Sequence, residues 1–177
     1  MKHKLIALAA LTACSISAMA NHTDPNNPSG NVVDRFADIE VLRYTVPGFS
    51  DLTLDQKKFI YYLTEAALSG RDILWDQNNA YNLPIRDLVE GVYVNYKGDR
   101  SSKDFKALEK YLKQIWFGNG IHHHYSMDKF VPEFSADWFA AQVKKLPEKP
   151  ADIDRLTDII FNPATMAKRV NQAEGQD

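Results

Sequence analysis

From residue 53 onward, apolar residues recur three and four positions apart, the period of helices that bury one face. Thr53-x-x-Gln56 has the form of a capping box. Phe59, Ile60, Leu63, Ala66 and Ala67 then make a stripe expected to be buried, closed by Gly70. Residues 71–78 read as a short helix or tight bend. Asn82 as N-cap, with Pro84 in the first turn, opens the next helix. Its apolar positions are Ile85, Leu88, Val89, Val92, Tyr93 and Tyr96, and Gly98 closes it. Gly91 inside this helix costs about 1 kcal/mol against alanine, which points to close packing there. Ser101 or Ser102 caps a fourth helix with a stripe of Phe105, Leu108, Leu112, Ile115 and Trp116, and Glu109 with Lys113 makes a favourable i,i+4 pair. Ser135 caps a helix through Trp138, Phe139, Val143 and Leu146, stopped by Pro147. Another is expected over 150–161, with Ile153, Leu156, Ile159 and Ile160 apolar. Asn162-Pro163 reads as the N-cap and first-turn proline of one more.

The period changes only near the start. Residues 36–46 alternate imperfectly through Ile39, Val41, Tyr44 and Val46, which predicts a strand ended by the Pro47-Gly48 turn. No partner strand is evident. The fold class predicted is therefore mainly α, with one or two strands.

Between the fourth and fifth helices, residues 116–134 collect most of the chain's candidate chemistry. Gly118 reads as the residue that stops the preceding helix, and Gly118 and Gly120 allow close backbone approach. Three consecutive histidines follow, then Tyr125 and Lys129, and an aromatic-Val-Pro-Glu-aromatic turn closes the stretch. In an extended strand His122 and His124 share a face while His123 points away. Two such ligands are one short of a catalytic zinc site, so His122 and His124 are only a weak metal-binding alternative. As neutral imidazoles they would suit a peptide backbone or carboxylate.

Composition narrows the classes further. A net charge of −2 gives no electrostatic case for nucleic acid. No glycine-rich dinucleotide loop follows a strand, so nothing supports an oxidoreductase. Residues 1–20 have the form of a secretory signal: a short basic start, then an apolar run over 5–13 too short to span a bilayer. Two processing sites compete. Ala18-Met19-Ala20 would give a mature start at Asn21, whereas Leu11-Thr12-Ala13-Cys14 resembles a lipobox that would lipidate Cys14. Either route exports the protein, to the periplasm or to a membrane surface held by lipid. Cys14 is the sole cysteine, so stability must come from packing rather than from an internal disulfide. Residues 21–33 read as a flexible spacer, and 34–177 as the folded part.

Several segments resemble the N-terminal part of bacterial dipeptidyl peptidase III proteins. They are Phe36-Ala37-Asp38-Ile39-Glu40-Val41-Leu42-Arg43-Tyr44, the run from Gln56 to Ala67 including Phe59-Ile60-Tyr61-Tyr62-Leu63, Gly70-Arg71-Asp72-Ile73, Gly98-Asp99-Arg100, and the whole 116–134 stretch. In that family the last reads Asn-x-Gly-x-x-x-Ser-Phe-Gly-Asp-x-Lys-Phe-Val-Pro. Here Asp128-Lys129-Phe130-Val131-Pro132 keeps its tail, and His124-Tyr125 stands where the family has Ser-Phe. The resemblance implies a two-lobed, largely helical zinc exopeptidase that removes dipeptides from peptide N-termini. Residues 34–177 would be an incomplete N-terminal lobe, with the strand belonging to a small β-barrel core.

The resemblance further implies that His124, Tyr125, Asn119, Gly120 and Lys129 line the substrate cleft, with a peptide and the remainder of the peptidase chain as partners. Zinc in that family sits on a helix carrying His-Glu-x-x-Gly-His. No histidine here is followed by glutamate, so no catalytic residue is expected in this chain, and alone it should be inactive. The competing expectation is a self-contained exported helical protein that binds a metal or peptide through the 122–124 loop.

Overall fold

A computed structural model describes residues 30–169. The signal segment, Cys14 and most of the 21–33 spacer lie outside the described residues. The protein is mainly α, with one two-stranded antiparallel sheet. Strand β1 (Val32–Phe36) and strand β2 (Ile39–Leu42) form a hairpin. Expectation and structure differ here: the partner strand lies immediately upstream, where Val32 and Val33 supply β-branched residues at the end of the supposed spacer. Ala37 adopts φ 50° in the turn, so the single strand expected over 36–46 breaks there. Arg35 and Glu40 pair across the hairpin at 2.7 Å. Residues 30–35 and 39–45 form one compact unit, and residues 36–38 and 46–169 form the other.

The helical unit contains α1 (Leu54–Ser69), α2 (Arg71–Asn78), α3 (Asn82–Asn95), α4 (Lys103–Gly118), α5 (Ala136–Val143) and α6 (Ile153–Phe161). Helix α3 is the hub, packing against α2, α4, α5 and α6. The core joins Ile85, Leu88, Val89 and Val92 of α3 to Phe105, Leu108, Leu112 and Ile115 of α4, with Phe139, Leu156, Ile159 and Ile160 from the last two helices. The local signals at several helix starts hold. Thr53 and Gln56 form the reciprocal capping box, and Ser102 and Ser135 accept from the third backbone N–H of their helices. Glu109 and Lys113 pair at 3.8 Å. Gly98 sits where a Cβ would meet the Tyr96 hydroxyl at 2.5 Å, letting that ring stack on Phe105 at 4.8 Å.

Four expectations are corrected. Asn82 does not cap α3; its side chain turns inward, as described below. Helix α5 stops at Val143 rather than Leu146. Helix α6 begins only at Ile153, because Asp152 takes a left-handed conformation, φ 60°. Asn162-Pro163 opens no helix: Asn162 closes α6, and its Oδ1 accepts from the Ala164 N–H at 3.0 Å, turning the chain instead.

The largest departure concerns α1. Its apolar stripe faces water: Phe59 is 65 % exposed, Leu63 53 % and Ile60 41 %. The half-buried positions within the helix are Lys57 and Glu65, on the opposite side. Lys57 is tied down on that side: its ammonium donates to the Ser50 carbonyl at 2.8 Å and lies 5.9 Å from the Phe49 ring centre. Among the described residues no helix is long and apolar enough to cross a membrane.

Candidate functional site

Helix α4 ends by a left-handed residue, but it is Asn119 (φ 51°) rather than Gly118 that provides it. Gly118 is instead a packing position, its missing Cβ lying 3.2 Å from the Phe130 ring. Gly120 follows at φ 149°. Fully buried Asn82 fastens this turn to the helices beneath. Its amide donates to the Trp75 carbonyl at 3.0 Å, and its oxygen accepts from the Ile121 N–H at 3.1 Å. Asn78 donates to the Asn119 carbonyl at 3.2 Å. Asn119 and Gly120 therefore shape the backbone of the loop. Sequence reasoning placed Asn82 at a helix end. An asparagine among apolar core positions was the available signal that it serves a buried polar task.

Beyond Ile121 the chain doubles back. The His123 N–H donates to the Asp128 carbonyl at 2.7 Å, and the Phe130 N–H to the Ile121 carbonyl at 2.8 Å. Met127, at φ 64°, makes the bend. A third extended segment lies alongside: the Lys129 N–H donates to the Ala167 carbonyl at 2.9 Å, and the Arg169 N–H to the Met127 carbonyl at 3.0 Å. Lys129 reinforces this strap. Its ammonium donates to the carbonyls of Ile159 (2.9 Å), Thr165 (2.8 Å) and Asn162. A cation on the last carbonyls of α6 is favoured by the helix dipole as well as by the bonds. Burial, partly offset by Asp158, pushes its pKa down. All three ammonium protons are committed, so substrate contact by Lys129 would require opening this lock.

The three histidines have separate environments. His122 is 2 % exposed. Its Nε2 lies 2.8 Å from the Met166 carbonyl, which places the proton on Nε2, while Nδ1 is buried without a partner. Burial first, then Arg169 and Lys129, hold its pKa below the ordinary value, against the Met166 carbonyl and Asp128. His123 Nδ1 accepts from the N–H groups of Tyr125 and Ser126, both at 3.2 Å, so its Nε2 carries the proton, 3.5 Å from the Asp38 carboxylate.

His124 lies within a ring cluster, edge-on to Phe117 at 4.9 Å and tilted against His123 at 4.4 Å and Tyr125 at 4.3 Å between centroids. Phe36 reaches Phe117 edge-on at 6.4 Å. Tyr125 is 82 % exposed, the most exposed large hydrophobic residue described. The loop thus presents the exposed rings of Phe117 and Tyr125 on a braced backbone, with His124 half-buried against them and its Nδ1 buried without a partner.

Of the two histidines weighed as ligands, His122 turns its Nε2 to a carbonyl and His124 lies among rings, while the Nδ1 atoms of both are buried without a partner. Among the described residues, no group of three or more His, Cys, Asp or Glu side chains could hold a metal ion. The donor set present does not fit zinc, and what the loop offers a ligand is ring surface and hydrogen bonds from its own residues. Comparison with known proteins found no matching family model and no matching curated protein.

Proposed function

We propose that the chain forms part of the substrate cleft of an exported, zinc-dependent dipeptidyl peptidase, with the zinc-bearing helix supplied by other residues. The observation that carries this reading is the contrast within the 117–130 loop. Its backbone is pinned by Asn82 and Lys129, while the rings of Phe117 and Tyr125 stand at the surface with half-buried His124 packed against both. A rigid scaffold presenting exposed aromatics is the usual make-up of a recognition site, since little ordering entropy is lost on binding. A flat ring such as Tyr125 would cover an apolar peptide side chain, and its hydroxyl would reach a peptide group. Motif residues Asp128-Lys129-Phe130-Val131-Pro132 support the same reading through their resemblance to that peptidase family. In this role Lys129, Asn119 and Gly120 shape the floor of the site, and His124 with Tyr125 touch the peptide.

Calorimetric titration of the chain with short peptides tests the proposal. Peptides with a free N-terminus should bind, and the double substitution His124→Ala, Tyr125→Ala should abolish the heat while leaving the circular dichroism unchanged. Binding that ignores both substitutions would refute the assignment. Zinc heats without peptide heats would favour the metal-binding alternative instead.

A further inference from the structure

Ala37 and Asp38 make the two-residue turn between β1 and β2. Ala37 holds φ 50° there, a conformation that such turns ordinarily give to glycine or asparagine. A strained turn of this kind persists where its surroundings fix it. Residues 36–38 belong to the same compact unit as the His loop, and the loop supplies the contacts. Phe36 meets Phe117 edge-on at 6.4 Å, and the Asp38 carboxylate lies 3.5 Å from His123 Nε2.

His123 works through both its backbone and its ring. Its N–H donates to the Asp128 carbonyl at 2.7 Å and its carbonyl accepts from the Met127 N–H at 3.2 Å, which closes the turn that displays Tyr125. Its Nδ1 accepts from the Tyr125 and Ser126 N–H groups, both at 3.2 Å. Two donors converging on Nδ1 require that this nitrogen carry no proton and that the ring face the turn. Asp38 meets both requirements at once. By facing the proton on Nε2 it favours that tautomer and resists rotation of the ring, as a carboxylate does for a histidine that acts through its other nitrogen. The remaining groups against the ring are aromatic: His124 at 4.4 Å, Phe130 at 5.9 Å and Tyr125 at 6.3 Å between centroids. We propose that His123 is the positioning residue of the aromatic surface, with Asp38 orienting its ring so that Nδ1 holds the main chain beneath Tyr125. The Asp38 side chain is 70 % exposed, and exposed pairs add little stability, so the contribution of this contact is geometric. The consequence for ligand binding rests on the peptide-binding reading, whereas the brace itself is a property of the free chain.

Nuclear magnetic resonance of the full chain provides the test. Imidazole nitrogen shifts should show His123 protonated on Nε2 and bare on Nδ1. Two substitutions separate the acceptor from the ring. His123→Asn puts Oδ1 where Nδ1 was, and asparagine readily accepts from an N–H two residues on. His123→Phe keeps a ring against Phe130 but offers no acceptor. Exchange of the Tyr125 and Ser126 amides should stay slow in the asparagine variant and accelerate about tenfold in the phenylalanine variant. Asp38→Ala should accelerate the same two amides in the wild-type background and leave them unchanged beside His123→Asn, while the midpoint of urea unfolding stays put. Titration with short peptides then reads the consequence: affinity should be retained by His123→Asn and fall several-fold with His123→Phe and with Asp38→Ala. A wild type that binds no peptide would refute the peptide-binding reading alone, since tautomer and exchange judge the brace without ligand. A proton on Nδ1, a phenylalanine variant protected as well as the asparagine one, or an Asp38→Ala effect that is absent in the wild type or equal in both backgrounds would each overturn the proposal.

Discussion

A Cβ on Gly120 would lie 2.2 Å from Asn82 Nδ2. The two residues are far apart in sequence, yet each defines what the other can be. The buried amide occupies the space a side chain would need, and the positive φ at Gly120 brings the loop backbone down onto it. Gly120→Ala is expected to destabilise the protein by about 2–4 kcal/mol, since it strains the backbone and displaces a buried hydrogen-bonding group. Asn82→Leu should cost about the same, by leaving the Ile121 N–H and the Trp75 carbonyl buried without partners. Urea unfolding measures both. The double variant should cost less than the sum of the singles, because both changes break the same contact.

Lys129 acts as a bolt between the His loop and the end of α6. Lys129→Met keeps the buried stem but removes the ammonium that three carbonyls share. The expected loss is about 2 kcal/mol. Amide exchange over 163–169 should accelerate before that of the α3–α4 core. Lys129→Arg should rescue little, since a planar fork cannot reproduce three convergent bonds from one nitrogen.

Acid should loosen the same strap through His122. Its folded pKa lies below the ordinary 6.5 because burial disfavours the charged ring. Below pH 6.5 the unfolded chain therefore takes up a proton that the native state resists. The His122 contribution is constant above 6.5 and is lost as pH falls from there toward the folded pKa. His122→Gln, which keeps a donor near the Met166 carbonyl, should flatten the stability profile between neutral and mildly acidic pH. An unchanged slope in the variant would count against the assignment.

Gly91 lies in the middle of α3, and a Cβ there would touch the Leu146 methyls at 3.7 Å, an ordinary contact. Close packing is thus present but does not demand glycine. Gly91→Ala should raise stability by about 0.5–1 kcal/mol through helix propensity. A thermal melt would show the increase, and a drop would mean that Leu146 cannot yield.

What the residue string settled by itself was local. Thr53, Ser102 and Ser135 begin their helices because a short oxygen-bearing side chain reaches a backbone N–H three positions on, an interaction needing no tertiary partner. The core stripes of α3 and α4 were legible for a similar reason: helical periodicity gathers them on one side whatever they meet. The 118–130 loop stood out by composition. Tertiary structure decided the direction and the use of those groups. Whether the α1 stripe faces protein or water depends on which other elements reach it, and the period of the helix itself cannot say. Whether Asn82 caps a helix or pins a loop depends on Gly120 arriving from elsewhere in the chain. The roles of the three histidines diverged because Met166, Asp38 and Phe117, distant in sequence, reach different rings. Hydrogen bonds and ring contacts between remote residues leave no periodic trace, so only the folded arrangement could assign them.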